Sequence, residues 1–181
     1  LACDIALTIM SAQFSQWSDT NQAEQQLWRS WLKTTFPRNL HQRWLKLVER
    51  HWQDESTELE ALEQPFSPQC YGTTIGVVIM TPTWWGHTGL GDWDLVRVGP
   101  HGDATLVSEE QDELQTNGEA TYSLCLSNAY AHFASRTNVS PITEGSPNFS
   151  LLLSTDGVRK SCSTDDDFFE IAKYLCRGER P

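Results

Sequence analysis

The chain has 181 residues and 20.5 kDa, with 39% apolar and 20% charged residues, which fits one domain with a hydrophobic core and excludes a disordered tail or two ordinary domains. A net charge of −11 opposes partners such as nucleic acid or anionic lipid, and no apolar run approaches the roughly 20 residues needed to span a bilayer. Cys3, Cys70, Cys125, Cys162 and Cys176 are scattered without a Cys-x-x-Cys pair, which disfavours a disulfide framework or zinc ribbon and points to a reducing cytoplasm.

In chain order, Leu1 to Ala6 lack the basic and small-residue features of a secretory signal. Apolar residues from Ala2 to Trp17 recur at three- and four-residue steps and predict a helix with one buried face. After Asp19, Leu27, Trp28, Trp31 and Leu32 form a second helical stripe; Pro37 interrupts it, and Leu40, Trp44, Leu47, Val48 and Trp52 resume it, so two helices with a break are expected. Five of the eight tryptophans fall in this helical part, 1–53, where core packing is their simplest role. Asp54 to Gln69 is polar and acidic, and its closing prolines predict extended backbone.

The period then changes. Thr73 to Thr81, Trp84 to Leu90, Trp93 to Val98 and Ala104 to Val107 read as four strands of an antiparallel meander, with turns at Pro82, Gly91-Asp92 and Gly99 to Asp103. Glu109 to Glu119 reads as an acidic loop, and Tyr122 to Val139 fits neither period. Phe149 to Ser154 is an apolar run of buried-strand type, followed by Thr155-Asp156-Gly157. The final helix has Thr164 as N-cap, Asp165 to Asp167 in its first turn and a stripe of Phe168, Ile171, Ala172 and Leu175. The sequons at Asn138 and Asn148 carry no weight in a cytoplasmic protein.

Two places combine strand and carboxylate. The run ending at Asp156 delivers an acid to the tip of a rigid element just before a glycine, a disposition suited to a hard divalent cation, although Asp-Gly after a strand is more often a turn. Asp92, after Gly89-Leu90-Gly91, sits where glycines serve turns and bulges and can face the same cleft. The five histidines show no metal-ligand spacing, and Asp165 to Asp167 lack the glycine and distal glutamate of a calcium loop.

Taken in order, Gly72-Thr73-Thr74, Gly91-Asp92-Trp93-Asp94-Leu95 and Leu152-Leu153-Ser154-Thr155-Asp156-Gly157 resemble three successive motifs of type 2C (PPM-type) metal-dependent Ser/Thr protein phosphatases, closest to their divergent bacterial branch. The resemblance covers Gly72 to Leu175 well and the helical part loosely. It implies an α+β fold, an α-β-β-α four-layer sandwich of two mainly antiparallel sheets flanked by helices. It also implies hydrolysis of phosphoserine and phosphothreonine in phosphoprotein substrates by a water activated on two Mg²⁺ or Mn²⁺ ions. By resemblance Asp156 is a ligand of the binuclear centre and Asp92 helps hold a weaker third cation, the two acids sharing a notch between the sheets.

The departures are specific. Residues 1–181 are expected to form a single, truncated domain, with the sheet motifs in 70–181, because the family's first Asp-Gly strand and last acidic pair have no counterpart here. Lys160 stands where the third-cation pattern often has another Asp. A lone Asp156 cannot offset the repulsion of two dications, so the fragment is expected to be inactive as a hydrolase. The alternative is a degenerate, non-catalytic binding or regulatory module.

Overall fold

The computed structural model describes residues 1–17, 22–59, 65–108 and 122–177. Helix α1, Ala2–Gln16, buries Ile5, Ala6, Ile9 and Met10, as its periodicity predicts. Helix α2, Gln22–Leu59, runs unbroken through Pro37, which corrects the expected break. Trp28, Leu32, Phe36, Leu40, Trp44 and Val48 recur every four residues along it, and all are buried. A buried interior proline costs about 3 kcal/mol, less than the burial of three such side chains on either side of it.

The strands among the described residues are β1 (Ile75–Met80), β2 (Trp84–Leu90), β3 (Trp93–Val98), β4 (Ala104–Leu106), β5 (Asn138–Pro141) and β6 (Ser150–Thr155). They form two antiparallel three-stranded sheets, ordered β1-β2-β5 and β4-β3-β6. The strand bounds follow the sequence reading closely, but the meander does not. β2 has its two edges occupied by β1 and β5, so no edge remains for β3, and the chain crosses into the second sheet at Gly91-Asp92. Gly91 permits that corner by adopting φ +81°. The ambiguous segment 122–139 contains a 3-10 helix, Ala129–Arg136, before β5. The acidic loop Glu109 to Glu119 lies outside the described residues.

Alternation along the strands produces four layers. Ile75, Ile79, Trp84 and Leu90 pack with α1, α2 and the Ala129–Arg136 turn in the largest core cluster. Trp85, Trp93 and Leu95 pack between the sheets, and the Trp93 indole lies on Gly76 and Gly89, which pair across β1 and β2. A Cβ at Gly89 would come within 2.6 Å of Trp93 Nε1, so the sheets approach this closely only with glycine there. Val96 and Val98 face outward onto Phe168 and Ala172 of helix α4, Asp165–Arg177. The expected α-β-β-α arrangement of an α+β fold is thus present.

Two burial expectations are corrected. β6 is not a buried strand: it pairs only with β3 among the described residues, and Leu153 is 42% exposed. On α4, Ile171 and Leu175 are exposed and the buried arc runs through Phe168, Phe169, Ala172 and Cys176, because one narrow sheet offers that helix a narrow face. The capping prediction holds. Asp167 N–H donates to Thr164 Oγ1 at 3.2 Å and Thr164 N–H donates back to Asp167 Oδ2 at 3.0 Å. All five cysteines are free, and no described helix is long and apolar enough to cross a membrane.

Candidate functional site

The β3–β6 ladder closes with Trp93 opposite Thr155. Asp92 immediately precedes this rung and Asp156 immediately follows it, so both sit at one end of the second sheet, each half-buried. Asp94 lies one rung inside, opposite Ser154. It alternates with Trp93 and Leu95, so it belongs to the outer face with Val96 and Val98, not to the inter-sheet space.

After Thr155 the chain turns directly into a short helix, α3 (Asp156–Lys160), where a turn was expected. The helical repeat swings two cations back onto the acids. Lys160 Nζ lies 2.5 Å from Asp156 Oδ2 at i,i+4, and Arg159 Nη1 lies 3.7 Å from Asp94 Oδ1. Arg159 also forks onto Asp165 at the start of α4, donating through Nε at 2.8 Å and Nη2 at 2.7 Å. Arg159 therefore ties β3, α3 and α4 together.

Burial raises the pKa of Asp94, with Arg159 and Arg136 opposing the shift and Asp156 and Asp165 adding to it. The hydrogen bonds from Arg159 lower that of exposed Asp165. Asp94 is 7% exposed; its Oδ2 and the Ser154 Oγ opposite have no hydrogen-bond partner among the described residues.

These side chains do not fit a binuclear cation centre. Among the described residues no three His, Cys, Asp or Glu side chains are grouped closely enough to hold a metal ion. Asp156 already faces an ammonium and Asp94 a guanidinium, so a dication here would have to displace a fixed positive charge.

The corner that carries Asp92 is held from within. Arg136, 9% exposed, ends the 3-10 helix and donates Nε to Ser108 O at 3.0 Å, with its two Nη groups donating to Gly91 O and Trp93 O. Its guanidinium stacks 4.3 Å from the Trp93 ring centroid. His87 Nδ1 donates to Arg136 O at 3.1 Å, and burial lowers the His87 pKa to about 4, so the ring is neutral. At the other end of the Gly-Thr-Thr segment, Thr73 N–H donates to Ser123 Oγ at 2.8 Å and Ser123 Oγ donates to Thr73 O at 3.1 Å.

Sequence reasoning selected Asp92 and Asp156 and missed Asp94, Arg136 and Arg159. Asp94 is the second acid of Gly-Asp-Trp-Asp, two residues after Asp92 and on the strand face opposite Trp93, but its place beside Asp156 follows only from the β3–β6 register. Arg136 carried no local signal, since its partners lie 28 to 45 residues away. A family profile described as Protein phosphatase 2C matches residues 1–181. No curated protein and no solved structure matches the chain.

Proposed function

The chain belongs to the protein phosphatase 2C family, and from that premise we propose that it forms a single phosphatase-type domain directed at phosphoserine and phosphothreonine in protein substrates. The observation that supports it is that Asp92 and Asp156 flank the closing Trp93–Thr155 rung at one end of the β3–β6 pair, in a sandwich of the type this family's resemblance implied. Asp156, at the strand tip, would be the ligand this chain contributes to a Mg²⁺ or Mn²⁺ ion once Lys160 released it, with Asp92 at a secondary position. Such cations, when bound, acidify water and neutralise phosphoryl charge. Asp156 alone does not offset the mutual repulsion of two dications, so the 181 residues are expected to be inactive as a hydrolase. Free cysteines and the charge balance support a cytoplasmic setting.

A second reading is favoured by one observation. Lys160 and Arg159 neutralise Asp156 and Asp94 from within the chain, as a fold kept for binding or regulation would require once cations were dispensed with.

Calorimetric Mn²⁺ titration with a phosphothreonine peptide present separates the two. A single millimolar site, lost in Asp156→Asn, supports the phosphatase reading with an incomplete ligand set. No binding at all supports the regulatory module. Two tight sites with phosphate release would show that the hydrolase is complete in this chain and overturn the inactivity proposed above.

A further inference from the structure

In a chain of net charge −11, three cations line one groove between α1 and α2, the helices of the first sheet, whereas Asp92, Asp94 and Asp156 belong to the end of the β3–β6 pair in the second. Arg43, Lys46 and Arg50 project from one side of α2 at helical spacing and line a groove of about 420 Å³ against α1. All three are exposed, and among the described residues none has an ion-pair or hydrogen-bond partner. The floor is apolar, formed by buried Ile5 of α1 and half-buried Leu47 of α2. Asp4 also lines the groove but makes no ion pair with these cations.

We propose that this groove docks an acidic peptide segment of a partner protein, its carboxylates on Arg43, Lys46 and Arg50 and an apolar side chain on Ile5 and Leu47. Charge complementarity selects the sign of the partner. Unpaired cations beside an apolar floor in an open groove match a short chain that alternates acids with aliphatic anchors. An anionic bilayer fits less well, because it meets the whole molecule, whose net charge repels it, whereas a peptide meets only the local patch. This inference stands apart from the acidic face and from any turnover.

The test is fluorescence anisotropy with a labelled peptide of alternating glutamates and leucines, against the same peptide with glutamine for glutamate. Micromolar binding to the 181-residue chain is expected, weakened at least about tenfold by the glutamine peptide and by the triple variant Arg43→Glu, Lys46→Glu, Arg50→Glu. A triple Gln variant, checked for native circular dichroism, gives the same direction with a smaller loss if reversal disturbs α2. Absence of binding, equal binding by the variants, or binding to phosphatidylserine vesicles in place of the peptide overturns the proposal.

Discussion

The two halves of the sandwich are built to different standards. The first sheet is sealed by α1, α2 and the Ala129–Arg136 turn into one continuous cluster that includes Leu32, Phe36, Leu40, Trp44 and Phe133, all nearly or fully inaccessible. The second sheet rests on α4 through Val96, Val98, Phe168 and Ala172, with Leu153, Ile171 and Leu175 left exposed. Apolar burial is the main stabilising term, so stability resides chiefly in the first half. The acidic face, with Asp94, Asp156, Arg159 and Lys160, belongs to the second half, where substitutions alter charge more than they alter folding. The corner at Gly91-Asp92 joins the halves, and Arg136 is its pin.

The sharpest way to break that contrast is to truncate one large side chain in each half. Trp44→Ala in the helical layer is expected to cost about 4 kcal/mol by denaturant titration, while Phe168→Ala, beneath a helix free to settle on a thin sheet, costs nearer 3 kcal/mol. A larger loss at Phe168 would reverse the assignment of stability. Arg136→Ala removes three donors from the carbonyls of Ser108, Gly91 and Trp93 and leaves them buried. A loss of roughly 3 kcal/mol is expected, with accelerated amide exchange at the corner rather than along α2.

The corner also sets a pH dependence. His87 has its pKa lowered from 6.5 to about 4, so the unfolded chain takes up a proton before the native one does. Stability is complete above pH about 6.5 and falls as pH drops toward 4, by up to roughly 3 kcal/mol. Asp94, raised by burial, acts with the opposite sign, because its native form binds a proton more readily than the unfolded chain, so it offsets part of the loss at the acid end. Denaturant midpoints measured from pH 7 to pH 4 should fall for the native chain and flatten in His87→Gln; equal slopes would remove His87 as the cause. The smallest effect is expected at the exposed pair: Lys160→Ala should change stability by less than about 0.5 kcal/mol.

How much of this was readable beforehand depended on the range of the interaction. Strand bounds at Trp84–Leu90 and Trp93–Val98 and the cap at Thr164 came from residues a few positions apart, and they match the structure. Continuity of α2 through Pro37 was hidden, because the burial that outweighs the proline comes from the sheet and the Ala129–Arg136 turn. The corner was misread as a hairpin for a similar reason: only the return of β5 to the free edge of β2 excludes β3 from that sheet. Asp92 and Asp156 could be placed at turns by their glycines, but Asp94 became visible as their neighbour only through the β3–β6 register. Lys160 was legible only as a departure from an acidic pattern and Arg159 carried no signal of its own; their role follows from the helical curl that begins at Asp156.

Lys160 and Arg159 pair with Asp156 and Asp94, the acids beside which the proposed dication would sit. Paired calorimetric Mn²⁺ titrations of the native chain and of Lys160→Ala test it most directly, since the substitution removes the ammonium 2.5 Å from Asp156 while sparing every acid. Millimolar or weaker binding is expected for the native chain and roughly tenfold tighter binding for the variant, as follows from withdrawing one unit charge from beside a dication near the surface. Equal affinities for the two proteins, or tight binding by the native chain, would contradict it.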